Sequence, residues 1–286
     1  MRLLLCLSAC FIIATAHDAT GIAQPTAGDR KHIVLACDFE GAQWWQAWGL
    51  KSEPANCTLI EGKSALGGKG KSLKVVIPKG GSTGANFHFK FRQQLGQEPE
   101  EIYFRYHLKL DPDWKNASDG GKLPGFSATY GKSGWGGRKV DGTDGWSARG
   151  HFKKPGADAT EIGYYCYHAN MKGKYGEVLK FQPPLQYDRW YCIDMHCKLN
   201  SLGKDGEHGK KDGILRTWID GKLAYERTDL RFRDIAKLKI ESIWINVYHG
   251  GTKPAPDHMH CYLDDIVISH KPIRAVQADQ KEAPGK

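Results

Sequence analysis

The sequence predicts an all-β protein: a two-sheet antiparallel jelly-roll sandwich in which one concave sheet carries the ligand. Three observations lead there. Apolar and polar residues alternate with a period of two in one segment after another, and 34 Gly and 13 Pro punctuate those segments, while helix-capping patterns are scarce. With 286 residues, 40% of them hydrophobic, the chain is long enough to bury a core without metal or disulfide staples.

The first residues read as a leader. Arg2, the apolar run of residues 3–13 and the small-x-small pattern Ala14-Thr15-Ala16 predict a secretory signal peptide over residues 1–16, although Leu7-Ser8-Ala9-Cys10 also fits a lipoprotein pattern. The run is too short to cross a bilayer, and no later segment is long and apolar enough to do so. A polar leader (17–30) precedes the domain, which is expected over 31–270, and residues 271–286 form a polar tail with little to pack. Cleavage removes Cys6 and Cys10. Export then leaves Cys37, Cys57, Cys166, Cys192, Cys197 and Cys261 in an oxidising compartment, where up to three disulfides can form in any of 15 pairings. Cys192 and Cys197 face opposite sides of one strand and so do not pair with each other.

Eleven strands follow from the alternation. The clearest is Ile102, Phe104, Tyr106, Leu108 and Leu110 against Tyr103, Arg105, His107 and Lys109; Phe87, Phe89 and Phe91 against Asn86, His88, Lys90 and Arg92 is similar. The others are expected at 32–39, 72–78, 146–152, 162–169, 190–199, 214–219, 222–227, 240–248 and 259–268. Asp220-Gly221 predicts a tight hairpin. Residues 229–237 are a short helix or an irregular connection.

Charge narrows the partner. A net charge of +9, falling to +8 once residues 1–16 and their single Arg are removed, suits a polyanion. Export argues against nucleic acid, and the lack of an amphipathic helix argues against a membrane surface; an acidic polysaccharide fits the charge, and so does a merely solvated surface.

Three segments carry chemistry suited to such a partner. Gly120-Gly121-Lys122-Leu123-Pro124-Gly125 holds a lysine in what reads as a Gly/Pro-rich turn. In Asp144-Gly145-Trp146-Ser147-Ala148-Arg149, strand alternation puts Ser147, Arg149 and His151 on one face and Trp146, Ala148 and Phe152 on the other. In Tyr164-Tyr165-Cys166-Tyr167-His168, Tyr165 and Tyr167 share a face. If the two strands are neighbours, a Lys, a Ser, an Arg and two Tyr converge. The Arg can hold a carboxylate bidentately, the Lys can stabilise or accept developing charge, and a Tyr can exchange a proton.

GGKLPG, then DGWSAR, then a YxY strand resembles polysaccharide lyase family 14, with glucuronan lyase family 20 a neighbour in fold. The likeness extends through Trp190, Trp218-Ile219-Asp220-Gly221 and Asp264-Asp265-Ile266-Val267, over roughly residues 85–270. It implies a jelly roll that cleaves a uronic acid polymer of alginate or glucuronan type by β-elimination. It also implies a catalytic set of Lys122, Ser147, Arg149, Tyr165 and Tyr167. Around this set His151, Trp135, Asn246, Tyr248 and His249 are expected to bind substrate. The sequence departs from the family pattern in a Lys132, Trp135, Arg138, Lys139 insertion and in a His-rich end to the domain, which bear on the choice of polymer.

Elimination suits these residues. The C5 proton of a uronate is weakly acidic because its carbanion forms beside a carboxylate, so neutralising that carboxylate is the main demand, met by Arg149 with Lys122. Tyr165, Tyr167 or Lys122 is the base, and the same or the other Tyr protonates the leaving O4. A base with an ordinary pKa near ~10 must be shifted down by burial or positive charge.

Other classes are weighed on the same residues. A glycoside hydrolase needs two carboxylates across the scissile bond, and Glu161, Glu226 and Glu241 lie apart in sequence. A lectin-like module would stack sugars on Trp135, Trp244 and Tyr248 without cleaving them. His249, His258 and His260 with Asp257 are candidates for a metal site, and Asp38 or Glu40 with Asp264 or Asp265 for a structural calcium, against the plainer reading of solvated or hydrogen-bonded side chains. No cofactor is required, and a monomer is expected.

Overall fold

A computed structural model of the chain describes residues 30–116, 120–153, 159–204, 207–251 and 253–273. The expected signal peptide, the polar leader up to residue 29 and the tail from residue 274 lie outside the described residues. In chain order the strands are β1 (Ile33–Cys37), β2 (Cys57–Glu61), β3 (Lys71–Ile77), β4 (Thr83–Lys90), β5 (Glu101–Leu110), β6 (Gly121–Ala128), β7 (Trp146–Lys153), β8 (Ala159–Tyr167), β9 (Glu177–Lys180), β10 (Leu185–Gln186), β11 (Trp190–Lys198), β12 (Gly213–Ile219), β13 (Lys222–Leu230), β14 (Ser242–His249) and β15 (Met259–Ser269).

They form two antiparallel sheets, the jelly-roll sandwich that the alternation predicts. The first runs β13-β12-β11-β5-β15-β3-β2 with β1 on β15; the second runs β10-β8-β7-β6-β14-β4 with β9 on β8. Each inner face supplies the apolar half of its strands. Phe104, Tyr106 and Leu108 of β5 meet Phe126 of β6, Trp146 and Ala148 of β7, and Ile243, Ile245 and Val247 of β14 in one buried cluster. Burying a Leu- or Phe-sized side chain there contributes roughly 1.5–3 kcal/mol. The outer half of β5 is covered as well: Arg105 makes a bidentate pair with Asp194 on β11 at 2.7 and 2.8 Å and donates to the Ile273 carbonyl at 2.9 Å.

All eleven predicted strands are present, with ends shifted by a few residues. Asp220 and Gly221 sit at φ 49° and 75°, the double left-handed turn that a two-residue hairpin needs. The chain after Leu230 is irregular. The strands the alternation does not reveal are β2, the short β9 and β10, and β6, which was expected to be a turn.

The six cysteines among the described residues are buried free thiols, so the disulfides that export would allow are not formed there. The topology explains one near miss. Cys57 and Cys261 both pair with Val75 from opposite sides, which sets them two strand spacings, roughly 9.5 Å, apart, beyond the reach of a disulfide. Cys197 lies in the core and Cys192 on the opposite face beside Asp194, as their spacing predicts.

Candidate active site

The outward face of the second sheet carries the site, and β-pairing sets its residues in rows. Ser147 of β7 lies opposite Tyr167 of β8, and Arg149 opposite Tyr165. On the other flank of β7, His151 lies opposite Lys122 of β6, which in turn lies opposite Tyr248 of β14. Asn246 and Trp244 extend the face to Asn86 and His88 of β4. The three motifs are therefore side by side in space although the sequence separates them.

Lys122 sits in a strand rather than in a loop. Leu123 still pairs with Gly150, but Phe126 pairs with Ala148, so two residues of β6, Pro124 and Gly125, stand opposite the single Arg149 of β7 and form a bulge. The glycine is required there: a β-carbon on Gly125 would lie 2.5 Å from the Ala148 carbonyl oxygen and 2.7 Å from Arg149 Cα. The bulge lets β6 carry Lys122 on the outward face at one end and bury Phe126 at the other.

Arg149 is 6% exposed. Its Nη1 donates to Asn246 Oδ1 at 3.1 Å, its guanidinium carbon lies 4.7 Å from the Trp244 ring centre, and its Nε has no partner among the described residues. Burial lowers its pKa, with the Tyr167, Tyr165 and Tyr248 hydroxyls pulling the other way. Lys122 Nζ lies 3.7 Å from the centre of the Tyr165 ring and donates to the Gly121 carbonyl at 3.4 Å. Burial, helped by the positive charge of Arg149, pulls its pKa down to about 7. Among the described residues no carboxylate forms an ion pair with either cation. Glu161, on the same face, is held by Lys180 at 3.0 Å.

The neighbouring groups are pushed the other way or held neutral. Burial and the adjacent Tyr167 hydroxyl raise the Tyr165 phenol to about 12. His151 donates from Nδ1 to the Gly121 carbonyl at 2.7 Å, which leaves Nε2 as a buried lone pair without a partner among the described residues. Burial first and Lys122 second lower its pKa to about 4, so it stays neutral at ordinary pH.

Ser147 and Tyr167 are fully buried, and both are tied to one hairpin. Ser147 Oγ donates to the Gly134 carbonyl at 2.6 Å, and the Gly137 amide donates to Tyr167 Oη at 3.0 Å. Trp135 and Arg138 bridge that hairpin, with the guanidinium 3.7 Å from the indole centre. Trp135 therefore stands beside the Tyr end of the site, on the insertion that the sequence singles out.

His249 is the expected site residue that the structure places elsewhere. Alternation along β14 puts Trp244, Asn246 and Tyr248 on the outward face and His249 with Val247 and Ile245 on the inward one, where it is 1% exposed. Sequence reasoning left Trp244 out of the expected binding set and overlooked His88 and Asn86. The Trp244 indole stacks on His88 with centres 4.7 Å apart and donates from Nε1 to Asn86 Oδ1 at 2.8 Å, a fixed aromatic floor next to Arg149. The alternation of 86–92 contained that signal, because Asn86 and His88 fall on its polar side.

Among the described residues no three His, Cys, Asp or Glu side chains come together as a metal site. His260 is instead engaged by Asp113, and the His258 ring accepts from the Lys79 amide at 3.3 Å. Glu40 accepts from the Lys71 amide at 2.8 Å, while Asp264 is taken up by Ser72 and by the Asp265 amide.

The model of one protein family, Polysaccharide lyase 14, matches residues 67–266. No curated protein sequence matches the chain. Solved structures with the same fold include alginate lyase Aly36B, at 16% identity over 84% of this chain and 98% of that one with a TM-score of 0.67. Alginate lyase vAL-1 from Chlorella virus has 19% identity over 83% and 99% with a TM-score of 0.63. Endo-beta-1,4-glucuronan lyase from the fungus Trichoderma reesei has 14% identity over 86% and 100% with a TM-score of 0.55.

Proposed function

The chain belongs to the polysaccharide lyase 14 family and is a polysaccharide lyase; from that premise we propose that it is exported and cleaves a uronic acid polymer of alginate or glucuronan type by β-elimination. The observation that carries the substrate class is the buried pair of Arg149 and Lys122, the lysine charged below about pH 7, on a sheet face where no carboxylate among the described residues pairs with either. Buried charges without partners are costly, and a uronate carboxylate is the counter-ion that this pair lacks. Several structural neighbours act on polymers of that kind, by their names.

The residues divide the reaction between them. Arg149, steadied by Asn246 and Trp244, binds the carboxylate of the reacting residue and draws off the charge that develops at C5. Lys122, neutral above about pH 7, removes the C5 proton. The electron pair forms the C4=C5 bond, the C4–O4 bond breaks, and Tyr165, protonated up to about pH 12, gives its proton to O4. Two groups on one face with pKa values pushed apart are what a base and an acid need. Lys122 leaves the step as an ammonium over the tyrosinate ring, so proton return between these neighbours resets the site. His151 offers the Nε2 lone pair to a sugar hydroxyl. Ser147 acts through the hairpin that holds Tyr167.

On this face Glu161 is taken up by Lys180, and no carboxylate among the described residues pairs with Arg149 or Lys122, so the two free acids that a hydrolase requires are not assembled there. The test is incubation of the mature protein with alginate, polyglucuronate and related chains while following ultraviolet absorbance of the unsaturated product. Retention of polymer without that absorbance would establish a binding module instead. A new reducing end without it would establish hydrolysis.

A further inference from the structure

Two loops meet above the Tyr165–Tyr167 end of the cleft, and the catalytic steps use no side chain of either. One is the β6–β7 hairpin around residues 130–139, fixed to the site by the Gly134–Ser147 and Gly137–Tyr167 hydrogen bonds of 2.6 and 3.0 Å. The other is the β8–β9 loop, residues 169–176. It lies against the same tyrosines: a β-carbon on Gly176 would be 2.8 Å from Tyr165 Cδ1 and 2.9 Å from Tyr167 Cε2. The loops also touch each other, since a β-carbon on Gly137 would be 3.0 Å from Tyr175 Cε1.

Their composition is one-sided. The two stretches hold Lys132, Arg138, Lys139, Lys172 and Lys174 and no acidic residue. All five cations are exposed, and none has an ion-pair partner among the described residues. Between them stands Tyr175, 60% exposed, with Lys174 Nζ 5.7 Å from its ring centre. A sugar ring can stack on so open a tyrosine face, and a polyanion relieves the repulsion among the cations around it.

We propose that these loops form an outer subsite that grips the acidic polymer beyond the reacting residue, with sugar carboxylates meeting Arg138 and Lys174 and one ring lying on Tyr175. The inference rests on the lyase reading of the cleft, and it adds a length requirement. A chain too short to leave the catalytic rows gains nothing from the loops, and a longer one is held more tightly.

The experiment compares the wild type with a variant carrying Arg138→Ala, Lys174→Ala and Tyr175→Ala, all at exposed positions. Elimination is measured on the shortest uronate oligomer that is cleaved and on the long polymer. The ratio of kcat/KM for polymer to that for oligomer should fall about tenfold or more, and the effect should shrink as salt is raised. A charge-keeping variant, Arg138→Lys with Lys174→Arg, should hold the ratio near the wild-type value. A ratio within twofold of wild type in the triple variant would overturn the outer subsite. Affinity electrophoresis of both proteins in polymer-containing gels decides the matter without catalysis. Equal retardation overturns the subsite, and weaker retardation of the triple variant supports it, even if the wild type forms no unsaturated product and the lyase reading itself fails.

Discussion

At the scale of single residues, the site works through contrast between neighbours. Arg149→Ala removes the carboxylate partner and Lys122→Ala the base, so each should lower kcat/KM about a hundred- to thousandfold or more while the thermal unfolding midpoint stays near that of the wild type. Activity near wild type in either variant would refute the assignment. kcat/KM reports groups of the free enzyme, so its acid limb should have a midpoint at about pH 7: the base is protonated and inactive below it and free above it. Ser147→Ala tests a different role. Its hydroxyl is spent on the Gly134 carbonyl, so the loss should reach catalysis through Tyr167. Rates of Ser147→Ala, Tyr167→Phe and the double variant should therefore be non-additive, with the second change costing less after the first. The roles were partly legible in the sequence, because alternation alone places Ser147, Arg149 and His151 on one face. The shifted acidities were not, because they come from burial and from contacts with groups distant in sequence, Asn246 and Trp244 beside Arg149 among them.

At the scale of elements, β6 decides whether the cleft assembles. Its Gly, Pro and Gly read as turn punctuation because those residues weaken ordinary strands. Here they build a bulge inside one, and Lys122 gains two strand neighbours that no loop would supply. Gly125→Ala pushes a β-carbon into the backbone of β7 at 2.5–2.8 Å and should destabilise the fold by roughly 2–4 kcal/mol, seen as a lower unfolding midpoint in denaturant. The clear strands were legible for the opposite reason: β5 alternates without a break through ten residues. The bond from Arg149 to Asn246 and the Trp244 platform were not, because register between β14 and its partners is a long-range property that no local pattern encodes.

At the scale of the whole molecule, the sandwich is held by apolar packing between its sheets, and the six thiols among the described residues stand free inside it. Thermal unfolding midpoints should therefore agree with and without a thiol reductant, and a clear drop with reductant would reveal a disulfide. The fold class was legible because two-residue periodicity is a property of each strand alone; strand order had to await the structure. The unneutralised cations bear on the empty enzyme as much as on turnover. Below about pH 7, where Lys122 is charged beside Arg149, two like charges kept from water repel each other in the free cleft, so the vacant protein is under an internal load that an anion removes. Unsaturated product keeps its carboxylate and answers the same need. Free uronate and released product should accordingly raise the melting temperature, by an amount that grows with the logarithm of their concentration, and should slow the reaction that made them.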